Sequence, residues 1–119
     1  MSENVLKGKS YQFAIRVVKL SQYLHRDKKE KILSGQIMRS GTAIGALVAE
    51  AHYAQSKRDF ISKLSIALKE AHETQYWLCL LKDTDLLELP LFESLFNDLT
   101  ELLKLLTASV KTAKKAIEA

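Results

Sequence analysis

Apolar residues recur along this chain at helical intervals, and no stretch alternates cleanly as a half-buried strand does. Phe13, Val17, Leu20 and Leu24 follow one another at i, i+4, i+7 and i+11, with Tyr11, Ala14, Ile15 and Val18 widening the same face. The strip left for solvent is Gln12, Arg16, Lys19, Tyr23 and Arg26. This predicts a first helix from about Ser10 to Arg26, with Ser10 as N-cap and residues 1–9 as a mobile arm. A second helix is predicted from the Asp27 cap, with Glu30 at capping-box spacing, to about Ala54. Its stripe is Leu33, Ile37, Ser40, Ile44, Leu47 and Ala51, with Val48 beside it. Inside it lies SGTAIGA, where Gly41 and Gly45 each cost roughly 1 kcal/mol relative to alanine. Glycines at i, i+4 in a continuous helix point to the close approach of a neighbouring backbone or bulky side chain.

Ser56, with Asp59 at the reciprocal position, predicts the start of a third helix that ends near Lys82. Phe60, Leu64, Ala67, Ala71 and Leu78 line one face of it. Pro90 suits the first turn of a fourth helix reaching about Ile117. There the apolar residues from Leu91 to Val110 span an arc of roughly 180°, where a helix facing one core needs little more than 100°. Such a surplus predicts self-association, since a soluble monomer seldom exposes a large apolar patch. Four helices with short connections predict an all-α, antiparallel, up-down-up-down four-helix bundle as a single domain over residues 1–119.

Composition agrees with long uninterrupted elements: four Gly, one Pro and 20 Leu in 119 residues. A lone Cys79 excludes a disulfide framework and a multi-thiolate metal site. The opening residues lack the apolar core of a signal peptide, and no apolar run reaches the length of a membrane span, so a cytoplasmic setting without membrane contact is expected. The net charge of +4 conceals segregation. Residues 1–58 carry +7, residues 59–103 carry −6 and residues 104–119 carry +3. Between Lys7 and Lys31 there are eight basic residues and two acidic ones. Phosphate contact needs cations on a shared surface, so Arg16, Lys19, Arg26, Lys28, Lys29 and Lys31 are the candidate nucleic-acid-binding residues. Tyr23 is placed to stack on bases, whereas Tyr11 is expected to pack.

Catalytic and metal chemistry finds little support in the residues. A di-metal bundle needs Glu-x-x-His pairs, and none of His25, His52 and His72 stands three residues after a glutamate. No two histidines are four apart. His52 reads as a packed or interface residue, Cys79 as a buried thiol, and Glu70, His72 and Glu73 as a solvated face. No phosphate-cradling loop or nucleophile motif occurs. The chain is therefore not expected to be an enzyme, and no cofactor or small-molecule substrate is expected.

The stretches YQFAIRVVKLSQYL, QIMRSGTAIGALVAEA and SKRDFISKLSIALKEAHETQYWLCLL resemble the bacterial four-helix bundle proteins related to the product of the intervening sequence in large-subunit ribosomal RNA genes. The likeness covers about residues 5–106. Arg39 and Ser40 match the signature's Arg-Ser pair, Ile44 and Glu50 its next element, and Ser56, Lys57, Asp59 and Phe60 its third. Leu47 stands where the family usually has Asn, replacing a hydrogen bond with apolar packing, and Val48 replaces an Ile. The resemblance implies a left-handed antiparallel bundle and a homopentameric assembly. A distant cousin, the accessory variability protein of diversity-generating retroelements, forms a basic pentamer that binds RNA and a reverse transcriptase. Candidates for an oligomer interface or structural signature are Arg39, Ser40 and Glu50, with Phe92, Phe96 and Leu103 from the fourth helix. Arg39 and Glu50 are expected to form inter-helix or inter-subunit salt bridges. The function expected is that of a non-enzymatic homo-oligomeric scaffold contacting RNA or a nucleoprotein through a basic face. The alternative is a protein–protein assembly module with no nucleic-acid role.

Overall fold

The computed structural model describes residues 2–118. It contains four α-helices: α1 (Ser2–Asp27), α2 (Ile32–His52), α3 (Lys57–Asp83) and α4 (Leu89–Glu118). Each packs on its neighbours in sequence, and α4 closes the ring against α1. Every seam is antiparallel. Along α1 and α4, Lys9 meets Glu101 and Arg16 meets Asp98. Along α1 and α2, Ser10 lies against Gly45, Val17 against Gly41, and Ser21 bonds Ser34. Ser40 meets Thr74 near the middle of α2 and α3, and His52 shares a cleft with Phe60 at their joined ends. The Lys82 ammonium sits over the Phe92 ring where α3 gives way to α4, whereas Phe60 shares that same cleft with Ala113. The bundle is 50 Å long and about 20 Å across.

The first helix starts at Ser2, not at Ser10. Leu6 stands seven residues before Phe13, so it extends the same apolar stripe, and it is buried. Residues 2–9, expected to form an arm, are therefore the opening turns of α1; Met1 lies outside the described residues. Ser10 is buried in mid-helix, where its hydroxyl donates to the Lys7 carbonyl instead of capping. Asp27 likewise does not cap α2, because α1 continues through it. The chain turns at Lys29, which has a positive φ of 58°. Glu30 then takes the capping role alone: its carboxylate accepts from the amides of Ile32, Leu33 and Ser34 at 2.8–3.2 Å. Three of the amide donors that a helix start leaves unpaired are thereby satisfied by one anionic group, which also complements the helix dipole.

The α2 helix runs unbroken through both of its interior glycines. A Cβ added at Gly41 would lie 2.7 and 2.8 Å from the two Val17 methyls, and one at Gly45 would lie 3.1 Å from the Ser10 carbonyl oxygen. These glycines let α1 and α2 approach closely, as their spacing implied. The buried stripe of α2 holds Ser34, Ile37, Ser40, Gly41, Ile44, Val48 and Ala51. Leu33 and Leu47 are only half-buried, and Leu47 packs against the core.

Helix α3 begins as its capping pattern indicates: Ser56 Oγ accepts from the Asp59 amide at 3.0 Å. The Asp59 carboxylate reaches back to the Gln55 amide at 3.2 Å, one residue before the cap. Its end is a left-handed cap at Asp85, φ 62°. The Leu86 amide bonds the Leu81 carbonyl and the Asp85 amide bonds the Lys82 carbonyl, a Schellman arrangement. Pro90 stands in the first turn of α4, whose core stripe is Phe92, Leu95, Leu99, Leu102, Leu106 and Val110.

Candidate nucleic-acid and subunit surfaces

The antiparallel ring gathers two connections at one end of the bundle and one at the other. One end holds the α1–α2 turn and the α3–α4 connection. The other holds the start of α1, the α2–α3 turn and the end of α4.

The basic strip of α1 does not act as one surface. Arg16 turns onto α4, where one guanidinium nitrogen lies 2.6 Å from Asp98 and another donates to Ser94 Oγ at 3.0 Å. Lys9 is likewise held by Glu101 at 3.1 Å. These pairs stitch the α1–α4 seam, and they show part of the segregated charge neutralising itself within the fold. Lys19 remains exposed, and Arg26 is exposed beside Asp27 at 3.2 Å. Lys28, Lys29 and Lys31 are all exposed in the α1–α2 turn. Because Glu30 faces inward to cap α2, that turn shows solvent chiefly positive charge. Exposed acidic residues of the α3–α4 connection and early α4, Asp83, Asp85, Glu88 and Glu93, occupy the same end. Tyr11 is exposed and not packed, and Tyr23 is half-buried against the core.

Arg39 forms inter-helix pairs, bridging from α2 to Glu70 and Glu73 on α3. The Trp77 indole donates to the same Glu73 carboxylate at 2.9 Å. Glu70 and Glu73 are therefore not a freely solvated face: their side chains close the α2–α3 seam, while His72 stays exposed. Ser40 is fully buried, its hydroxyl 2.9 Å from that of Thr74, so this signature residue is an internal seam contact and not a surface one. Phe92 is also internal. It packs on Phe96 with ring centroids 5.2 Å apart and lies beneath the Lys82 ammonium. Phe96 and Leu103 are half-buried, and Glu50 is exposed. The surplus apolar arc of α4 is smaller than its periodicity suggests, because Phe96, Leu103 and Leu105 lean partly onto the core. What stays in view is a flank on which Leu89, Phe96 and Leu103 repeat every seven residues, with Leu89 exposed.

Among the described residues no three His, Cys, Asp or Glu side chains converge as metal ligands would. His52 is exposed and so is not packed in the core of the single chain; its ring stands edge-on to Tyr53 at 4.9 Å between centroids. Cys79 is a free, half-buried thiol. No helix among the described residues is long and apolar enough to cross a membrane.

The opposite end carries a cluster that linear spacing hides. Lys7, Lys57, Arg58, Lys111, Lys114 and Lys115 are all exposed there. They come from three separate segments, which the topology places at one end of the bundle.

A family model matches residues 3–108, and its description is 23S rRNA-intervening sequence protein. The chain belongs to that family. A crystal structure at 1.70 Å of a protein of unknown function from the S23 ribosomal protein family of Bacteroides thetaiotaomicron VPI-5482 is similar to it. The two share 52% sequence identity and a TM-score of 0.92, over 93% of this chain and 99% of the other. Comparison with curated proteins finds no match. Membership in the intervening-sequence family accords with the Arg39–Ser40 and Ser56–Phe60 motifs, whose structural parts are now visible: a seam ion pair, a buried hydroxyl pair and a helix cap. No enzymatic family is indicated.

Proposed function

We propose that this family member is a non-enzymatic, self-associating helical scaffold that contacts RNA, alone or within a nucleoprotein, through its surface cations. The observation that carries the proposal is the α1–α2 turn. Its one inward carboxylate, Glu30, is fully engaged with backbone amides, and Lys28, Lys29 and Lys31 project from it without ion-pair partners among the described residues. Lys19 and Arg26 extend this surface along α1, whereas Arg16 belongs to the α1–α4 seam and supports it structurally. Self-association would repeat the turn by symmetry and multiply its field. The homopentamer implied by the family resemblance is one such arrangement.

The test is fluorescence anisotropy with a labelled single-stranded RNA across a salt series. Counterion release makes the logarithm of affinity fall with the logarithm of salt concentration, by roughly 0.7 per phosphate contacted. Replacing Lys28, Lys29 and Lys31 together by glutamine is expected to weaken binding at least about tenfold and to flatten that slope. Absent or salt-insensitive binding by the unmodified protein would instead favour a protein–protein assembly module.

A further inference from the structure

We propose a second nucleic-acid contact at the opposite end of the bundle, selective for single strands, with Tyr53 as the base-stacking residue and Lys57 and Arg58 as phosphate contacts. It rests on the nucleic-acid reading above but uses different residues. Tyr53 follows the last turn of α2 and is 79% exposed, more than any other large hydrophobic or aromatic side chain described. Its backbone amide closes α2 onto the Glu50 carbonyl at 3.0 Å, so the main chain that carries the ring is anchored at the end of the bundle.

Lys57 and Arg58 open α3, where the helix dipole disfavours positive charge, and neither has an ion-pair partner among the described residues. Lys111, Lys114 and Lys115 are exposed on the last turns of α4 at the same end. The nearby carboxylates do not cancel this charge. Asp59 is committed to Lys63 at 3.0 Å and to the Gln55 amide. Exposed Glu50 and Glu118, with Glu3 in the opening turn of α1, are the other acids at this end, fewer than its cations. Between α4 and the α2–α3 turn lies an open cleft of about 350 Å³, lined by His52, Lys57, Phe60 and Ala113 among others. That volume lies within the range of roughly 300–1,000 Å³ typical of ligand clefts.

An exposed aromatic ring at an end of the bundle rich in unpaired cations matches the general chemistry of single-strand binding, in which bases stack on aromatic faces and a basic groove follows the backbone. Duplex bases already stack on one another and offer the ring no free face. An acidic peptide would satisfy the cations and leave the ring uncovered. A membrane surface would call for a broader apolar face than one tyrosine supplies.

The experiment uses the full chain and a fluorescein-labelled oligouridine of about 16 nucleotides, the upper site size for a single-strand groove. Tyr53→Ala is expected to weaken binding about tenfold without changing the salt slope, and Tyr53→Phe to restore it. Lys57→Gln with Arg58→Gln is expected to weaken binding and flatten the slope by about 0.7 for each lost contact. All three positions are surface ones, and removing cations from the α3 start relieves the dipole, so helicity by circular dichroism stays unchanged. The duplex of the same length is expected to bind at least about fivefold more weakly, by the loss of stacking. If RNA binds but neither variant differs from the unmodified protein, this second contact is overturned while the α1–α2 surface stands. Equal affinity for duplex, or binding only to phosphatidylserine vesicles, also overturns it. No RNA binding by the unmodified protein overturns both proposals.

Discussion

Gly35 and Gly41 share a residue type and a helix, yet their surroundings assign them opposite roles. A Cβ at Gly35 meets nothing within 4 Å, whereas one at Gly41 collides with the branched, buried side chain of Val17. Gly35→Ala therefore gains helix propensity alone and is expected to stabilise the protein by about 0.5–1 kcal/mol. Gly41→Ala gains the same propensity but overpacks the α1–α2 seam, at about 1–3 kcal/mol, so it is expected to be destabilising on balance. Urea denaturation of the two variants checks the contrast, and equal shifts in both would remove Gly41's role as a contact point. The glycine spacing was legible in the sequence because a costly residue repeated at i, i+4 asks for a reason. Its partner was not legible, since nothing in the local pattern of α2 names Val17. The same distance problem governs the charges. Arg16 reads as a solvent cation on its own helix and becomes a seam residue only when Asp98 arrives from α4.

At the scale of elements, the starts of α3 and α4 were readable because their signals are local: a serine cap with Asp59, and a proline in a first turn. The start of α1 was misplaced because Ser10 resembles a cap, while Leu6 shows its purpose only once a core exists to bury it. The α3 start also has a pH dependence. The Lys63 ammonium beside Asp59, and then the Gln55 amide, hold that carboxyl below its ordinary value, while Asp59 holds Lys63 above its own. A lowered carboxylate contributes stability above its unfolded value and loses that contribution as pH falls through the folded one. The raised lysine contributes below its unfolded value and loses that contribution as pH rises through the folded one. Asp59→Asn is thus expected to lower the melting temperature by a constant amount at neutral pH. The gap to the unmodified protein should close below about pH 4 and above about pH 10.5. Thermal melts across that range check it, and a gap that persists at pH 2 would show the effect is not this ion pair.

For the whole molecule, assembly turns on how much of α4 the monomer leaves unsatisfied. A wide apolar arc read from sequence treats every flanking leucine as homeless, but Phe96 and Leu103 are half-covered by their own bundle. The remaining argument is geometric. Leu89, Phe96 and Leu103 repeat at seven-residue steps, the spacing by which one helix presents a seam to another, and Leu89 is 56% exposed. A second copy laying a helix along this flank would complete the cover begun by the core. If that is how the scaffold assembles, light scattering at micromolar concentration gives a multiple of the 13.5 kDa chain mass. Leu89→Glu then reduces the mass toward one chain with helicity retained, because the substituted side chain is already exposed in the monomer. Leu103→Glu reaches the same mass but also lowers the melting temperature, because that residue is partly core. A single-chain mass for the unmodified protein would sink self-association and confine RNA contact to one bundle, whose α1–α2 turn and opposite cationic end would lie at the two poles of its 50 Å length.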